Sequence, residues 1–441
     1  MKRPLVIALL IVALVLVCAG IGSVIFFLTG GFPTNILEPN LVSASAEESK
    51  TVKIDAKTSV TLEITDDAGN VTVVGADVDS IQVKVVKTAY APTQARAEEE
   101  LKTIKYKIDQ VGNSITITYD LPNIRTSPPN ITVIDANRET VDFIVTVPVE
   151  TKVTVNAGLG KINISGLQGQ ASIESNFGDI TVEKVDGALD VNTNSGRIDV
   201  TSVAAGTGDV DIHSDFGTIS LNQISGAKIT VGSNSGKLDL TNVRATKAME
   251  LTTDFGDIDF ETGSASSLNV KTQSGAITLT SINISGDLTV QDDFGDINVK
   301  QVKAASYDTE TNSGTITVDG AKDKLRAHTG FGNINIKSAE NATLDLFTQS
   351  GSIDFTGSLG EGPHTVRSDF GEIELTIPAD SALSVELKTE FGTIKSDIPI
   401  TMTLTGDIQK EKQSGTMNGG GASLKVNTNS GNITIRASST K

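Results

Sequence analysis

Pairs of carboxylates flank a recurring Phe-Gly dipeptide, and together they could bind a hard cation such as calcium. Ca²⁺ takes several oxygen ligands, which stacked turns could supply from carboxylates and backbone carbonyls. The pairs come in every second copy of the phrase, so they would meet only about every 10 Å along a stack of strands. Aspartates beside a glycine also stabilise turns by hydrogen bonding to the backbone, which is the alternative role. The candidate calcium ligands are Asp254, Asp257, Asp293, Asp296, Asp369 and Glu372.

The three histidines, His213, His328 and His364, occupy different places within the recurring units and have no repeated partner. We interpret each as a surface or turn residue rather than a general acid or base. Hydrolases that use paired carboxylates need a cleft to hold them, whereas the units here vary only from 18 to 21 residues and leave little room for cleft-forming loops. The sequence therefore predicts no catalytic residues, no enzyme activity and no cofactor apart from the candidate calcium.

The composition excludes several classes of protein. The 441 residues include 54 acidic and 36 basic side chains, which gives a formal net charge of −18. An acidic surface does not neutralise phosphates, so nucleic acid is excluded as a partner. The single cysteine cannot form a disulfide within the chain, and with only three scattered histidines it nearly excludes a zinc site.

An uncharged run over residues 4–28 follows Lys2 and Arg3 near the start of the chain. This run is long enough to cross a bilayer as one helix. The two basic residues favour a cytoplasmic amino terminus, with the rest of the chain outside the cell. We therefore predict a single-pass transmembrane signal anchor over residues 1–31. A cleaved signal peptide and lipoprotein processing at Cys18 are the alternatives.

A short phrase recurs from about residue 156 onward, and its glycine defines a period. From Gly160 to Gly392 the spacing is 18 to 21 residues, with a mean of about 19, as in solenoid repeats. Each unit holds short runs in which apolar and polar residues alternate between Gly, Asn and Ser, which predicts β-strands. The sequence thus predicts an all-β fold, a parallel β-helix of one chain with one coil per unit. The predicted inward column comprises Ile180, Ile198, Ile219, Leu238, Ile258, Ile277, Ile297, Ile316, Ile334, Ile353 and Ile373.

A second periodicity concerns the residue before the glycine, which alternates between Phe and Ser from Phe177 to Phe370. Phenyl rings stacked on every coil would have to fit a spacing of about 4.8 Å, whereas large and small residues can interdigitate. A pair of coils is therefore the predicted physical repeat. Phe391 breaks the alternation and indicates that the regular coils end there. The glycine itself is expected to supply a positive φ or a close backbone approach.

The segments on either side of the repeats differ from the middle. Residues 92–103 predict the only helix outside the membrane, with Pro92 near its start. We expect a linker at 32–50, an amino-terminal capping β region that includes this helix at 51–150, the β-helix at 151–400 and a carboxy-terminal cap at 401–441. Caps would protect the unpaired edges of the first and last coils.

The repeated phrases, together with the predicted anchor and the irregular β region, resemble the bacterial putative-adhesin family of β-helical surface domains. Its Ser-Gly-x-Ile form occurs here at 195–198 and its Asp-Phe-Gly-Asp-Ile form at 254–258. The resemblance covers about residues 50–440. It implies a β-helical fold and a place on the cell surface, and it supplies no catalytic residues.

Outward positions of the predicted strands are polar and often acidic, as at Asp199 and Asp239. They could serve solubility and protect the sheets from lateral association, or form a broad surface for a cationic or sugar partner. The leading hypothesis is a non-enzymatic, membrane-anchored cell-surface protein, an adhesin or envelope-interaction scaffold with a glycan or protein ligand. The alternative is an accessory or sensory module of a cell-envelope stress response.

Overall fold

The computed structural model describes residues 41–55, 58–121, 139–402 and 411–438. The predicted membrane anchor at 4–28 lies outside these residues. Within the described ranges, no helix is both long enough and apolar enough to cross a membrane. The chain forms two compact units: residues 88–104 belong with those before Ala46, and the remaining residues form the larger unit.

The smaller unit contains the helix α1 (Gln94–Leu101). Thr93 caps its start, because the side-chain oxygen accepts a hydrogen bond from a backbone N–H of the first turn at 3.4 Å. Ala97 is the buried residue of the helix and packs against Ala44. The helix predicted at 92–103 is confirmed.

The larger unit is a β-solenoid in which each coil contributes one strand to each of two sheets. Sheet 1 holds the strands that end just before the recurring glycine: β8 (Lys152–Leu159), β10 (Ala171–Phe177), β12 (Leu189–Ser195), β14 (Val210–Phe216), β16 (Ile229–Ser235), β18 (Ala248–Phe255), β20 (Ser267–Ser274), β22 (Asp287–Phe294), β24 (Ser306–Ser313), β26 (Lys322–Phe331) and β29 (His364–Phe370).

Sheet 2 holds the strands that begin just after that glycine. They are β9 (Ile162–Leu167), β11 (Ile180–Val185), β13 (Ile198–Ala204), β15 (Ile219–Gly226), β17 (Leu238–Ala245), β19 (Ile258–Ala265), β21 (Ile277–Ile284), β23 (Ile297–Lys300), β25 (Ile316–Asp319), β28 (Ile353–Leu359) and β30 (Ile373–Pro378). The long strand β27 (Ile334–Ser350) passes from sheet 2 into sheet 1.

The remaining strands lie toward the two ends of the chain. The amino-terminal strands are β1 (Val42–Lys53), β2 (Thr61–Ala68), β3 (Val71–Ala76), β4 (Ser80–Ala91), β5 (Lys107–Val111), β6 (Ser114–Tyr119) and β7 (Glu139–Pro148). The carboxy-terminal strands are β31 (Leu383–Phe391), β32 (Ile394–Ser396), β33 (Lys412–Met417), β34 (Ala422–Ser430) and β35 (Ile433–Ser438).

Neighbouring coils pair in parallel and in register, which builds a continuous apolar column. Ile180 of β11 pairs with Ile198 of β13, and Ile198 pairs in turn with Ile219 of β15. Every member of the predicted inward column is fully buried. Burial of such side chains is the main favourable term for folding. The predicted parallel β-helix is confirmed.

A turn lies in sheet 2, four residues after the first residue of β9 and of each later sheet 2 strand up to β27, and its backbone is left-handed. Lys184 has a φ of 54°, and Thr262 has a φ of 60°, in a region that L-residues other than glycine rarely adopt. The turn directs the following residue inward, and Val185 is fully buried. We call this column the left-handed corner; it comprises Gly166, Lys184, Ser202, Gln223, Asn242, Thr262, Ser281, Gln301, Gly320 and Ser338.

In the coil of β19, a large residue and a glycine take core positions that aliphatic residues take in the preceding coil. Phe260 pairs with Leu240 of the preceding coil, and Gly263 pairs with Val243. A Cβ added to Gly263 would lie 2.3 Å from Cζ of the Phe260 ring. The Phe260 ring therefore occupies space that a side chain at Gly263 would need, and it compensates in part for the missing aliphatic side chain.

At each end of the solenoid one coil is interposed out of chain order. The coil β2–β3 lies between β6–β7 and β8–β9. In the same way, β34–β35 lies between β29–β30 and β31–β32. The strands β5 and β33 pair antiparallel with β6 and β31, which covers the edge that each terminal coil of sheet 1 would otherwise expose.

The interposed carboxy-terminal coil corrects one prediction. Ser430 pairs with Phe370 on one side and with Phe391 on the other. The regular parallel coils do end with the coil of Phe391, because β31–β32 pairs in parallel on one side only and β31 meets the antiparallel β33 on the other. The Phe and Ser alternation, however, continues in space, and the prediction that Phe391 breaks it is wrong. The reason is that stacking order and chain order differ at this end.

The end segments also contain more regular structure than the sequence indicated. Strand β1 begins at Val42, within the stretch expected to be a linker. Solenoid coils lie inside both regions expected to be caps, since β2–β3 falls within 51–150 and β34–β35 within 401–441. Among the described residues, the antiparallel strands β5 and β33 cover the terminal edges of sheet 1.

Candidate binding surface

The recurring glycine allows two coils to approach closely, and this corner sets the geometry of the surface beside it. A Cβ added to Gly314 would lie 1.8 Å from the carbonyl oxygen of Gly295 in the preceding coil, and one on Gly371 would lie 1.9 Å from that of Gly351. No side chain fits at such distances. The predicted close backbone approach is confirmed, and we call this column the glycine corner.

Three residues before most of the recurring glycines, a buried serine or threonine lies on the inner side of the corner. The Oγ1 of Thr348 donates to the carbonyl oxygen of Gly332 in the preceding coil at 2.9 Å. Ser368 makes the same hydrogen bond to Gly351 at 3.0 Å. Sequence reasoning missed this inner ladder, although a hydroxyl residue at an inward position of many units was a signal that could have revealed it.

Aspartate replaces the hydroxyl residue of the inner ladder in two coils, at Asp66 and Asp292, and both are buried. In each, Oδ1 accepts a backbone hydrogen bond, whereas Oδ2 has no partner among the described residues. Burial raises the pKa of Asp66 to about 8 and that of Asp292 to about 6. A neutral carboxylic acid carries a proton that it can donate, as the threonine hydroxyl does.

The candidate calcium ligands lie on the outer side of the glycine corner, where they join a second ladder of hydrogen bonds. Asp254 accepts from the side-chain amide of Gln273 in the next coil at 2.8 Å. Asp257 accepts from the backbone N–H of Ala276, also at 2.8 Å. The remaining candidates accept as follows: Asp293 from Asn312, Asp296 from the N–H of Thr315, Asp369 from Arg367 and Glu372 from Asn432.

This outer ladder accounts for the spacing of the paired carboxylates by turn chemistry. In each pair, one carboxylate accepts a hydrogen bond from a side-chain amide or guanidinium. The other accepts a hydrogen bond from a backbone N–H or a side-chain amide. Across the parts of the chain that the structure describes, no three His, Cys, Asp or Glu side chains come together as a metal site. Calcium binding at these residues stays a prediction.

The phenylalanines before the glycine form an exposed row. Phe216 follows the outward Asp215 at the end of β14, yet it too lies outward and is 62% exposed. Phe216 pairs with Ser195 and Ser235 on either side, which confirms the predicted alternation. We call this row the Phe stripe; its members are Phe177, Phe216, Phe255, Phe294, Phe331, Phe370 and Phe391, and they are 55% to 75% exposed.

Two polar grooves lie on the outer face of sheet 1 beside the Phe stripe. The first has a volume of about 390 Å³ and is lined by Asn156, Glu174, Asn192 and Asp215, among others. The second, about 340 Å³, is lined by Lys271, Gln273, Gln291, Asp293, Glu310 and Asn312. Amide and carboxylate side chains in such numbers can exchange hydrogen bonds with a ligand rich in hydroxyl groups.

The histidines contribute little to this surface. His213 lines the first groove, and its Nε2 lies 3.3 Å from the Asp215 carboxylate. His364 is fully buried, which corrects its prediction as a surface or turn residue. Its Nε2 lies 3.1 Å from the Gly360 carbonyl oxygen, and its Nδ1 accepts from the N–H of Leu344. Burial lowers the pKa of His364, so the ring is held neutral.

Comparisons with solved structures found only distant likenesses. One is described as a "putative cell adhesion protein" from Clostridium sporogenes ATCC 15579, with 8% identity over 90% of this chain and all of that chain and a TM-score of 0.19. Another, a "putative adhesin" from Bacteroides fragilis NCTC 9343, has 14% identity over 66% of this chain and 96% of that one, with a TM-score of 0.24. Similarity this low supports no argument about function. No curated protein matches the sequence.

A family model matches most of the chain. The model described as Toastrack DUF4097 matches twice, over residues 59–266 and 261–436, so the two matches run from the first interposed coil to the last. The family resemblance expected from the repeated phrases is confirmed at this level. The chain belongs to the Toastrack DUF4097 family.

Proposed function

We propose that the chain is a non-enzymatic protein of the cell surface that binds a partner through the Phe stripe and the polar face beside it. In this proposal residues 4–28 anchor it in the membrane, with the solenoid outside the cell. The observation that carries the proposal is the exposure of the Phe stripe. Seven of the twelve large hydrophobic residues exposed in the described ranges belong to it, and extended apolar patches on a protein surface commonly mark interaction sites.

The arrangement of the stripe supports binding better than a purely structural role. Serine occupies the same position in alternate coils, as at Ser195 and Ser235, and those coils keep the same backbone register. The fold therefore does not require an aromatic residue there. Leaving more than half of each ring in water forgoes most of the free energy that burial would provide, which fits a surface kept for a partner.

The surrounding chemistry supports a binding role rather than catalysis. The carboxylates beside the stripe accept hydrogen bonds from neighbouring coils, as Asp254 and Asp257 do. A general acid or base needs an unusual pKa and a place beside bound substrate, whereas the two aspartates with strongly raised pKa values, Asp66 and Asp292, are buried in the inner ladder.

Adhesion of cells that display the full-length chain tests the proposal. Replacing Phe255, Phe294 and Phe331 together by Ser should lower adhesion to a cell monolayer or a surface polymer by about tenfold, because contact residues at the centre of an interface carry most of its energy. The matched control is Val111→Ser, which removes an exposed apolar residue, 81% accessible, from the β5–β6 hairpin. Equal adhesion by the triple variant and the parent would contradict the proposal.

A further inference from the structure

We infer that the Phe stripe binds an extended β-1,4-linked polysaccharide, with a sugar ring stacked on the phenyl ring of every second coil. The inference rests on the proposed function, in which the stripe is the binding surface. It adds the chemical class of the ligand, and three observations carry it: the period of the stripe, the side chains beside it and the charge around it.

The period of the stripe matches the period of such a polymer. Phe216, Ser235 and Phe255 succeed one another in neighbouring coils, so phenyl rings repeat every two strand spacings, or about 9.6 Å. In an extended β-1,4-linked chain each sugar is turned by roughly half a turn from the last, and every second ring presents the same face. The disaccharide that separates equivalent faces is close in length to two coils. Successive phenyl rings can therefore meet equivalent sugar faces.

Polar side chains lie beside each phenyl ring where sugar hydroxyls would need partners. Asn234 and Gln273, in the serine coils, donate amide hydrogens to Asp215 and Asp254 of the phenylalanine coils. Carboxylates accept two or more hydrogen bonds each, and amides both donate and accept. A hydroxyl-rich chain that lies along the stripe can join this outer ladder without leaving a polar group unpaired.

The negative charge beside the Phe stripe disfavours anionic polysaccharides and allows neutral or amino-bearing ones. Aspartates precede the phenylalanine in several coils, as at Asp254 and Asp293, and follow the glycine in the same coils. An anionic polymer would bring like charges together, and so would the stripe of a second copy of this chain. A neutral or amino-bearing polysaccharide meets no such repulsion. The aromatic rings supply the apolar faces on which the C–H faces of the sugars can stack.

The test is titration calorimetry of the purified full-length protein with cellohexaose and chitohexaose. Each hexasaccharide covers about three phenyl rings, so it should bind at least about tenfold more tightly than its disaccharide, because linked contacts reinforce one another. Maltohexaose, whose α-linked chain curves away from a straight row, should bind at least about tenfold more weakly than cellohexaose. Equal affinity for the α-linked and β-linked chains would overturn the inference.

Variants separate stacking from general hydrophobic contact. The triple replacement by Ser at Phe255, Phe294 and Phe331 should weaken binding of the better hexasaccharide by about tenfold, and the triple replacement by Leu should do nearly the same. The triple replacement by Tyr should keep affinity within about twofold, because the ring face remains. Val111→Ser should bind as the parent does. Circular dichroism melts confirm folding, and leucine variants that bind fully would overturn the stacking argument.

Failure of the polysaccharide inference can be distinguished from failure of the proposed binding role. If the serine variants lose cell adhesion while neither hexasaccharide binds, the inference is wrong and the binding role stands. Stripe-dependent binding of a cationic amphipathic peptide, or dimerisation seen by sedimentation, without any binding of hexasaccharide would likewise overturn the inference in favour of that partner. If adhesion is also unchanged, both proposals fail.

Discussion

The two corners of each coil solve the same problem, a sharp turn repeated at every level of a stack, by different means. At the glycine corner the limit is space, since an added Cβ would meet the neighbouring carbonyl oxygen at about 2 Å, as at Gly314. At the left-handed corner the limit is conformation alone, and Lys184, Ser202 and Gln223 all occupy it with φ between 54° and 59°. A collision with backbone excludes every side chain, whereas an unfavourable φ costs about 1–2 kcal/mol and is tolerated.

The largest expected effect comes from adding one carbon at each corner. Gly314→Ala should lower the free energy of unfolding by about 3 kcal/mol or more, because the neighbouring coil cannot move away without breaking its own ladder. Gly320→Ala is the matched change at the left-handed corner, where an added Cβ meets no atom within 4 Å. This variant should lower the free energy of unfolding by only about 1 kcal/mol. Urea unfolding measures both, and equal losses would show that conformation rather than space governs the glycine corner.

A second prediction concerns the charge inside the glycine corner. Burial raises the pKa of Asp292 to about 6, above 3.8 for the unfolded chain, so the folded state binds the proton more tightly. Its stability should therefore fall as the pH rises from about 4 to about 6. Asp292→Thr restores the hydroxyl of the inner ladder, and it should stabilise the protein by about 2 kcal/mol more at pH 8 than at pH 4.

Urea unfolding at the two pH values measures the effect of Asp292→Thr. Thr311→Ser, one coil away in the same ladder, changes no charge and should keep the pH profile of the parent. A gain for Asp292→Thr that does not depend on pH would mean that the aspartate is already ionised in the folded protein at low pH, contrary to the raised pKa.

The inner ladder itself should have a smaller effect. Thr348→Val keeps the volume but removes the hydroxyl that donates to Gly332, and it should cost about 1 kcal/mol. Ser233→Ala tests the opposite case, since the buried Oγ of Ser233 has no partner within the described residues; this change should be neutral or slightly stabilising. Thermal melts of both variants measure the difference. An equal loss of stability in both would show that the hydrogen bonds of the inner ladder do not stabilise the protein.

The smallest expected effect lies at the left-handed corner. Thr262 is β-branched and has a φ of 60°, which is its least favourable allowed region. Thr262→Gly should relieve that strain and raise the free energy of unfolding by about 0.5–1 kcal/mol, after the greater freedom of glycine in the unfolded chain is subtracted. Thr241→Gly, in the neighbouring coil but before its turn, should instead lower stability by a similar amount. A loss at both positions would contradict the strain argument.

The contrast between the corners also explains what the sequence could predict. The glycine corner is visible because space restricts it to one residue type, and the inward isoleucines are visible because burial restricts them to apolar ones. The left-handed corner allows Lys, Ser, Gln, Asn or Thr, so its column carries no compositional signal. It could be located only once the strand register was known, because the register places Lys184, Ser202 and Gln223 at the same point of successive coils.

The surface was predictable in part. Alternation of Phe and Ser could be read from the sequence, and the strand spacing explained it as a repeat of two coils. Exposure of the rings could not be predicted, because strict alternation along β14 would have placed Phe216 inside. Asp215 and Phe216 instead both lie outward at the end of the strand. The stacking order of the last coils could not be predicted either, since the phrase at 429–433 reads like any other. The one clue was that the units of Phe370 and Phe391 follow one another in the chain, with no unit between them that has Ser before its glycine.

The interposed coil at the carboxy-terminal end has a consequence for the order of assembly. The coil β31–β32 is synthesised before β34–β35, yet it cannot dock directly on β29–β30 without setting the ring of Phe391 against that of Phe370 at a single strand spacing. We therefore expect growth of the solenoid by simple addition, one coil after the next, to stop at β30 until β34–β35 has been made. The strands β31 to β35 are then expected to join the stack together, with Ser430 taking its place between the two phenylalanines. We expect completion of this end to be a late and concerted step, whereas the coils from β8–β9 to β29–β30 stack in chain order.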